Sequence, residues 1–122
     1  MTRNNMAYYL IRGTYSAEGY RGMIDNPSDR EIATRALNQQ LGIETIAYFN
    51  SLSEAGFVGI LKANPDQMAT AQMVGMSSGA FTKVSAEELT PSTVFLEGQK
   101  AGAQIKFDAP NRDEIDRLLH DE

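Results

Sequence analysis

The sequence predicts an α+β fold in which two helices lie on one face of a four-stranded antiparallel sheet. Segments rich in branched and aromatic residues, which are typical of strands, are interspersed with two segments of helical periodicity. An Asn-Pro pair precedes each helical segment, at Asn26-Pro27 and at Asn64-Pro65. Asparagine is a favoured N-cap and proline suits the first helical turn, so both pairs predict helix starts.

The first half of the core is predicted to form a strand, a helix and a second strand. Aromatic and branched residues over 6–15 favour a strand, and the glycines within 16–25 favour a loop or a broken helical turn. An apolar stripe spaced by about 3.6 residues predicts a helix over 26–41, with Gly42 as its C-cap. The second strand is predicted over 43–49.

The second half of the core is predicted to form a strand, a helix and a fourth strand. A short connection makes the third strand, 57–63, antiparallel to the second. The second helix, 64–76, is predicted to start with a capping box between Asn64 and Gln67, and the fourth strand covers 80–85. The order β-α-β-β-α-β is the ferredoxin-like split βαβ pattern, and right-handed crossovers then place both helices on one face.

The remainder is predicted to be a C-terminal extension within a single domain that spans 1–122. The core of that domain covers 6–90, and the extension covers 91–122. The extension is predicted to contain a short helix, a flexible joint, a short strand and a further short helix, at residues 90–96, 98–102, 103–108 and 111–120.

Composition argues against several classes of partner. The chain of 122 residues has a net charge of −5 and no basic patch, so we expect no nucleic-acid partner. No apolar run approaches the roughly 20 residues that span a membrane, and no apolar leader follows the first methionine. We therefore expect a cytoplasmic protein without a membrane partner. The absence of cysteine removes disulfides and thiolate sites.

Side chains that could carry chemistry are sparse. His120 is the only histidine, and it is expected to be exposed at the end of a helix, where a cation favours the dipole. The carboxylates at Glu87-Glu88 and within 113–116 are interpreted as solvated surface, because acid–base pairs need a partly buried pocket. We expect no metal site and no cofactor, and we assign no catalytic residue.

The predicted sheet has two apolar faces. Side chains alternate along a strand, and neither set of alternating residues is cleanly polar in the first three strands. A sheet with helices on one side and water on the other should alternate cleanly, so the second face should also be covered. A second copy of the sheet, in a homodimer or a higher homo-oligomer, would cover it, as would the C-terminal segment if it folded back.

Two stretches of the sequence resemble the GYD-domain family. The longer stretch runs from Tyr9 to Arg30, and the second runs from Leu61 to Asp66, where an apolar strand ends in a Pro-Asp pair. The resemblance covers roughly residues 7–90. It implies a small bacterial or archaeal protein related to the dimeric ferredoxin-like α/β-barrel proteins.

The sequence departs from this family at the element that gives the family its name. A Gly-Tyr-Asp element should precede the third strand, but residues 53–58 read Ser-Glu-Ala-Gly-Phe-Val, so the aspartate is missing. Gly56 keeps a glycine in this region, and we expect a turn or bulge with positive φ there.

Four polar residues are predicted to bind a ligand: Arg12, Tyr48, Asn50 and Lys62. The predicted strand registers place Arg12, Tyr48 and Lys62 on the face away from the helices. A few polar groups on an apolar wall are typical of a small-ligand pocket, but they also suit a dimer interface in which Arg12 is paired. We expect an oligomeric domain that binds a small apolar or aromatic molecule or acts as an assembly module. The alternative is a cofactor-independent monooxygenase or isomerase of the dimeric α/β-barrel type.

Overall fold

The computed structural model describes residues 5–110 and 118–119. The strands and helices of these residues are, in chain order, β1 (Ala7–Tyr15), α1 (Ala17–Asp25), α2 (Arg30–Gln40), β2 (Glu44–Ser51), β3 (Gly56–Ala63), α3 (Pro65–Ser77), β4 (Phe81–Leu89) and α4 (Ser92–Gly102). Contacts divide the chain into two compact units, Met1–Thr90 and Pro91–Glu122. Within the described residues, every helix is too short or too polar to cross a membrane.

The strands form one antiparallel sheet in the order β2-β3-β1-β4. This order confirms the predicted α+β fold and its ferredoxin-like arrangement. Helix α2 packs against β2 and α3 packs against β4, and we call the side of the sheet that they cover the helix face. The opposite side is the open face. The side chains of the core lie on or beside the helix face: Tyr9, Ile11, Ile43, Tyr48, Phe57, Leu61, Ala63 and Met68.

The second Asn-Pro pair starts a helix, as predicted. The side-chain oxygen of Asn64 accepts a hydrogen bond from the N–H of Gln67 at 2.9 Å, and the Gln67 side chain accepts one from the N–H of Asn64 at 2.9 Å. Pro65 occupies the first turn of α3, where its missing N–H leaves no hydrogen bond unmade. The predicted capping box is therefore confirmed.

The first Asn-Pro pair ends a helix instead of starting one. The loop or broken helical turn predicted over 16–25 is instead a continuous helix. Ser16 caps this helix, α1, since its hydroxyl oxygen accepts a hydrogen bond from the N–H of Gly19 at 3.0 Å. At the other end of α1, the N–H of Asn26 donates to the carbonyl of Gly22 at 2.9 Å. Asn26 is thereby a C-cap and is not free to cap the next helix.

Helix α2 consequently begins later than predicted. It starts at Arg30, after Asp29, whose carboxylate oxygen accepts a hydrogen bond from the N–H of Glu31 at 2.9 Å. Aspartate is as good an N-cap as asparagine, so Asp29 can start α2 once Asn26 ends α1.

A β-bulge in β2 changes which side chains face the helices. Thr45 pairs with Leu61 and Ala47 pairs with Ile60, so Ile46 is the extra residue. A bulge adds one residue to one strand and therefore inverts the alternation beyond it. From residue 47 onward, β2 presents each side chain to the face opposite to the one that strict alternation predicts.

The connection from β2 to β3 also departs from the prediction. The residue with positive φ is Ala55, at 53°, so the positive φ predicted for Gly56 is wrong. A glycine is nevertheless required at position 56, because a Cβ there would collide with the carbonyl oxygen of Gly13 on β1. The missing side chain serves close strand packing and not turn geometry.

The fourth strand is longer than predicted. Pairing with β1 continues as far as Leu89, where a strand ending at 85 was expected. Glu87 and Glu88 therefore lie on β4 and not in a loop. Their carboxylates point to opposite faces of the sheet, since neighbouring residues on a strand alternate.

The C-terminal extension begins with a helix, as expected, but α4 is longer than the predicted short helix. It runs through Gly98 to Gly102, so the flexible joint predicted over 98–102 is wrong. Each glycine weakens a helix by only about 1 kcal/mol, which a helix of this length can tolerate. Residues 103–108 contain a turn and irregular chain, and the strand predicted there is also wrong. The helix predicted over 111–120 lies almost entirely outside the described residues.

Candidate ligand-binding site

The structure divides the four predicted ligand-binding residues between the two faces of the sheet. Arg12 and Lys62 lie on the open face, as predicted. Tyr48 and Asn50 pair with residues of β3 that lie on the helix face, beyond the bulge in β2. The prediction that Tyr48 shares a face with Arg12 and Lys62 is therefore wrong, and the bulge is the reason.

The two open-face cations do not converge on one position. Arg12 lies 3.4 Å from a carboxylate oxygen of Glu87 and 3.9 Å from one of Glu54. The ammonium of Lys62 lies 5.6 Å from the ring centroid of Tyr8. Since Tyr8 pairs with Lys62, Arg12 lies four residues further along β1, about 13 Å away at roughly 3.3 Å per residue. Each cation thus interacts with its own neighbours on the sheet.

Aromatic rings cluster at one end of the helix face. The rings of Tyr15 and Phe81 stack with centroids 5.0 Å apart, and those of Tyr48 and Phe57 stack at 5.4 Å. Tyr20 of α1 meets the ring of Tyr15 edge-on at 5.5 Å. Each such pair contributes about 0.5–1.5 kcal/mol beyond the burial of its surface.

This cluster was not predicted, because its rings come from five different elements. A signal was nonetheless present. In the predicted antiparallel order, the end of the first strand lies beside the starts of the third and fourth, and Tyr15, Phe57 and Phe81 occupy those ends.

The hydroxyls of Tyr15 and Tyr48 form a hydrogen bond of 3.2 Å within this cluster. Burial raises the pKa of Tyr48, and the Tyr15 hydroxyl raises it further. A hydrogen bond with Thr34 and the positive charge of Arg30 lower the pKa by less. Tyr48 therefore stays protonated at neutral pH, where it can donate or accept a hydrogen bond but cannot act as a general base.

A cavity of about 500 Å³ opens beside the aromatic cluster. It lies between α1, the start of α2, the end of β2 and the start of β3, and we call it the α1 cavity. Much of its wall is apolar, formed by Tyr15, Tyr20, Ile24 and Leu52, while Asn50 lies on its polar side. Small-molecule sites typically enclose about 300–1,000 Å³ and combine an apolar wall with a few polar groups. The α1 cavity has this size and this composition, and it is open to solvent, since Leu52 in its wall is 98% exposed.

A second cavity of about 320 Å³ lies against a neighbouring face of α1. It shares Tyr15, Met23, Ser28 and Arg30 with the α1 cavity. These four residues therefore border both spaces, and Arg30 is the only cation among them.

Arg30 has few partners of its own. Its guanidinium donates a hydrogen bond to the hydroxyl of Ser28 at 3.0 Å, and it forms no ion pair with any residue that the structure describes. Arg35 on the same helix is different, since it lies 2.8 Å from Glu31 and donates to the carbonyl of Thr45 at 2.8 Å. Most of the guanidinium N–H donors of Arg30 are thus left for a bound molecule.

A cluster of metal-binding side chains is not found among the described residues. Over residues 5–110 and 118–119, no group of three or more histidine, aspartate or glutamate side chains is close enough together to hold a metal ion. His120 lies outside the described residues.

Comparisons with protein-family models, with curated proteins and with solved structures gave no match to this chain. The resemblance to the GYD-domain family therefore stays a prediction that rests on the sequence stretches quoted above.

Proposed function

We propose that this protein binds a small, planar, apolar or aromatic molecule in the α1 cavity. The observation that carries this proposal is the aromatic wall of a cavity of about 500 Å³, formed by Tyr15 and Tyr20. Aromatic side chains favour offset stacking or edge-to-face contact with a flat ligand, and Asn50 can fix its orientation with a hydrogen bond. Asn50 thereby keeps the ligand-binding role predicted for it, in a different place on the sheet.

The alternative is a cofactor-independent enzyme of the dimeric α/β-barrel type. Such an enzyme needs a titratable group whose pKa suits proton transfer near neutral pH. The pKa of Tyr48 is raised, which moves this residue away from that role. The raised pKa keeps the hydroxyl of Tyr48 neutral. A neutral hydroxyl suits ligand binding better than proton transfer, so binding is the better supported function.

Binding can be tested with a neutral planar probe, 2-naphthamide, by isothermal titration calorimetry. Tyr20→Ala should weaken binding by about three- to tenfold, since an aromatic contact contributes about 0.5–1.5 kcal/mol. Tyr8→Ala is a matched control, because Tyr8 is 36% exposed and Tyr20 41%, but Tyr8 lies on the open face. Equal loss of affinity in both variants, or no binding by the parent, would contradict the proposal.

We also propose that the open face pairs with a second copy of this chain, in a homodimer or a higher homo-oligomer. The face carries an apolar strip. Leu10 pairs with Ile60 on one side and with Glu87 on the other, and Phe49 pairs with Val58. Phe49 is 66% exposed in the single chain. Burial of apolar surface contributes about 25 cal/mol per Å², which favours covering such a strip.

Sedimentation equilibrium tests this pairing. The parent protein should have at least twice the 13.4 kDa mass of one chain at micromolar concentration. Phe49→Asp should shift the mass toward 13.4 kDa, because an unpaired carboxylate in an apolar interface is costly. Ile32→Asp is the control, since Ile32 is equally exposed, at 68%, but lies on α2. A parent that sediments as a monomer would remove the basis for the proposal.

A further inference from the structure

We infer that the molecule bound in the α1 cavity carries an anionic group, of the carboxylate class, and that Arg30 binds this group. The inference rests on the proposed function and adds the charge of the ligand to it. It predicts that the site discriminates between two planar molecules that differ only in charge.

The position of Arg30 favours contact with a molecule in the α1 cavity. It is half-buried at the start of α2 and borders both the α1 cavity and the neighbouring cavity. A molecule bound in the α1 cavity against Tyr15 or Tyr20 would therefore share that cavity with Arg30. A guanidinium presents a planar fork of donors that matches the two oxygens of a carboxylate.

No carboxylate of the described residues forms an ion pair with this guanidinium. Of the arginines on or beside the sheet, Arg12 lies near two carboxylates and Arg35 pairs with Glu31. Arg30 has only the hydroxyl of Ser28 as a side-chain partner among the described residues. A half-buried cation without a counter-ion is stabilised by an anion that enters the cavity, so the ligand supplies what the protein does not.

Two acidic residues that border the cavities weaken this attraction without removing it. Asp29 also borders the α1 cavity, but one of its oxygens accepts a hydrogen bond from the N–H of Glu31 at the start of α2. The positive end of the helix dipole offsets part of its charge there. Glu18 borders only the neighbouring cavity. The field of Arg30 also reaches the interior of the cluster, where it acts on the hydroxyl of Tyr48.

The test compares 2-naphthoate with neutral 2-naphthamide, two probes of the same shape, by isothermal titration calorimetry at low salt. The parent protein should bind 2-naphthoate at least about tenfold more tightly than 2-naphthamide, since hydrogen bonds to charged groups are the stronger ones. Arg30→Gln should abolish this preference, so that 2-naphthoate and 2-naphthamide bind within about twofold of each other. Arg30→Lys keeps the charge without the fork and should retain part of the preference.

Arg35→Gln is the control, because Arg35 lies on the same helix but does not border the α1 cavity. It should leave both affinities unchanged. If the parent binds both probes equally, or if Arg30→Gln keeps the preference, the inference is wrong while the proposed function stands. If the parent binds neither probe, the proposed function fails and the inference fails with it.

Discussion

The two faces of the sheet are built from the same strands but differ in how their polar groups are used. On the helix face, two tyrosine hydroxyls bond each other among stacked rings, beside an arginine that has no ion pair with the described residues. On the open face, Arg12 lies between two carboxylates and Lys62 lies over a tyrosine ring. A polar residue thus indicates a binding site only where its neighbours leave its hydrogen-bonding groups free.

The largest loss of stability is expected at Gly56, where β3 lies beside β1 at the aromatic end of the sheet. Gly56→Val should lower the free energy of unfolding by about 3 kcal/mol, because the new side chain meets the backbone carbonyl of Gly13. Urea denaturation measures this change. Gly22→Ala is the control, since a Cβ at Gly22 on α1 has open space around it. Equal urea midpoints for Gly56→Val and the parent would show that the strands do not approach as closely as described.

Replacing Tyr48 tests whether the helix face depends on its buried hydroxyls. Tyr48→Phe keeps the stacked ring but removes the hydrogen bond to Tyr15, so the protein should lose about 1 kcal/mol of stability. Tyr8→Phe, on the open face, should change stability by less than about 0.5 kcal/mol. Thermal unfolding of the two variants would sharpen the contrast between the faces, and equal losses would remove it.

The stability of the protein at alkaline pH tests the environment of Tyr48 independently. The pKa of Tyr48 in the folded protein is raised above its ordinary value of 10.0, which the unfolded chain retains. Above that pH the unfolded state binds fewer protons than the folded state, so the free energy of unfolding falls as pH rises. The stabilisation is complete below pH 10.0 and is lost as the pH rises through the folded-state pKa. Tyr48→Phe should make this alkaline decline less steep, and an unchanged slope would contradict the assignment.

The smallest expected effect is at Gly75 of α3, on the side of the core away from the α1 cavity. A Cβ at Gly75 would make ordinary contacts of 3.9 Å with Phe81 and Val84. Gly75→Ala should therefore stabilise the protein by about 0.5–1 kcal/mol, through better helix propensity alone. Affinity for 2-naphthoate should not change. A variant less stable than its parent would mean that the space between α3 and β4 is tighter than described.

Periodicity and capping residues were enough to predict every strand and helix of the core except α1, and the order of these elements. The apolar stripe of the first helix, the capping box at Asn64 and the antiparallel link between the second and third strands all have local causes. The sheet order then follows from handedness and short connections. Fold class was accessible from the sequence because each of these signals lies within a few residues of the element that it specifies.

The candidate site was much less predictable, and a single bulge explains most of the difference. Nothing in the sequence of β2 marks Ile46 as an extra residue, yet it moves Tyr48 and Asn50 to the opposite face. The helix α1 was also missed, because the glycines at positions 19 and 22 favoured a loop and the N-cap at Ser16 was not considered. Arg30 was not predicted to bind a ligand, since a lone arginine at a helix start is informative only once its partners are known.

The most direct test of the central claim is to map the binding of 2-naphthoate by chemical-shift changes in the amide spectrum of the labelled protein. The claim is that ligand binds on the helix face, beside α1. It predicts that the largest shifts fall within residues 15–30 and 50–56, which border the α1 cavity. Shifts concentrated at Tyr8, Leu10, Val58 and Ile60 on the open face, or the absence of any saturable shift, would contradict it.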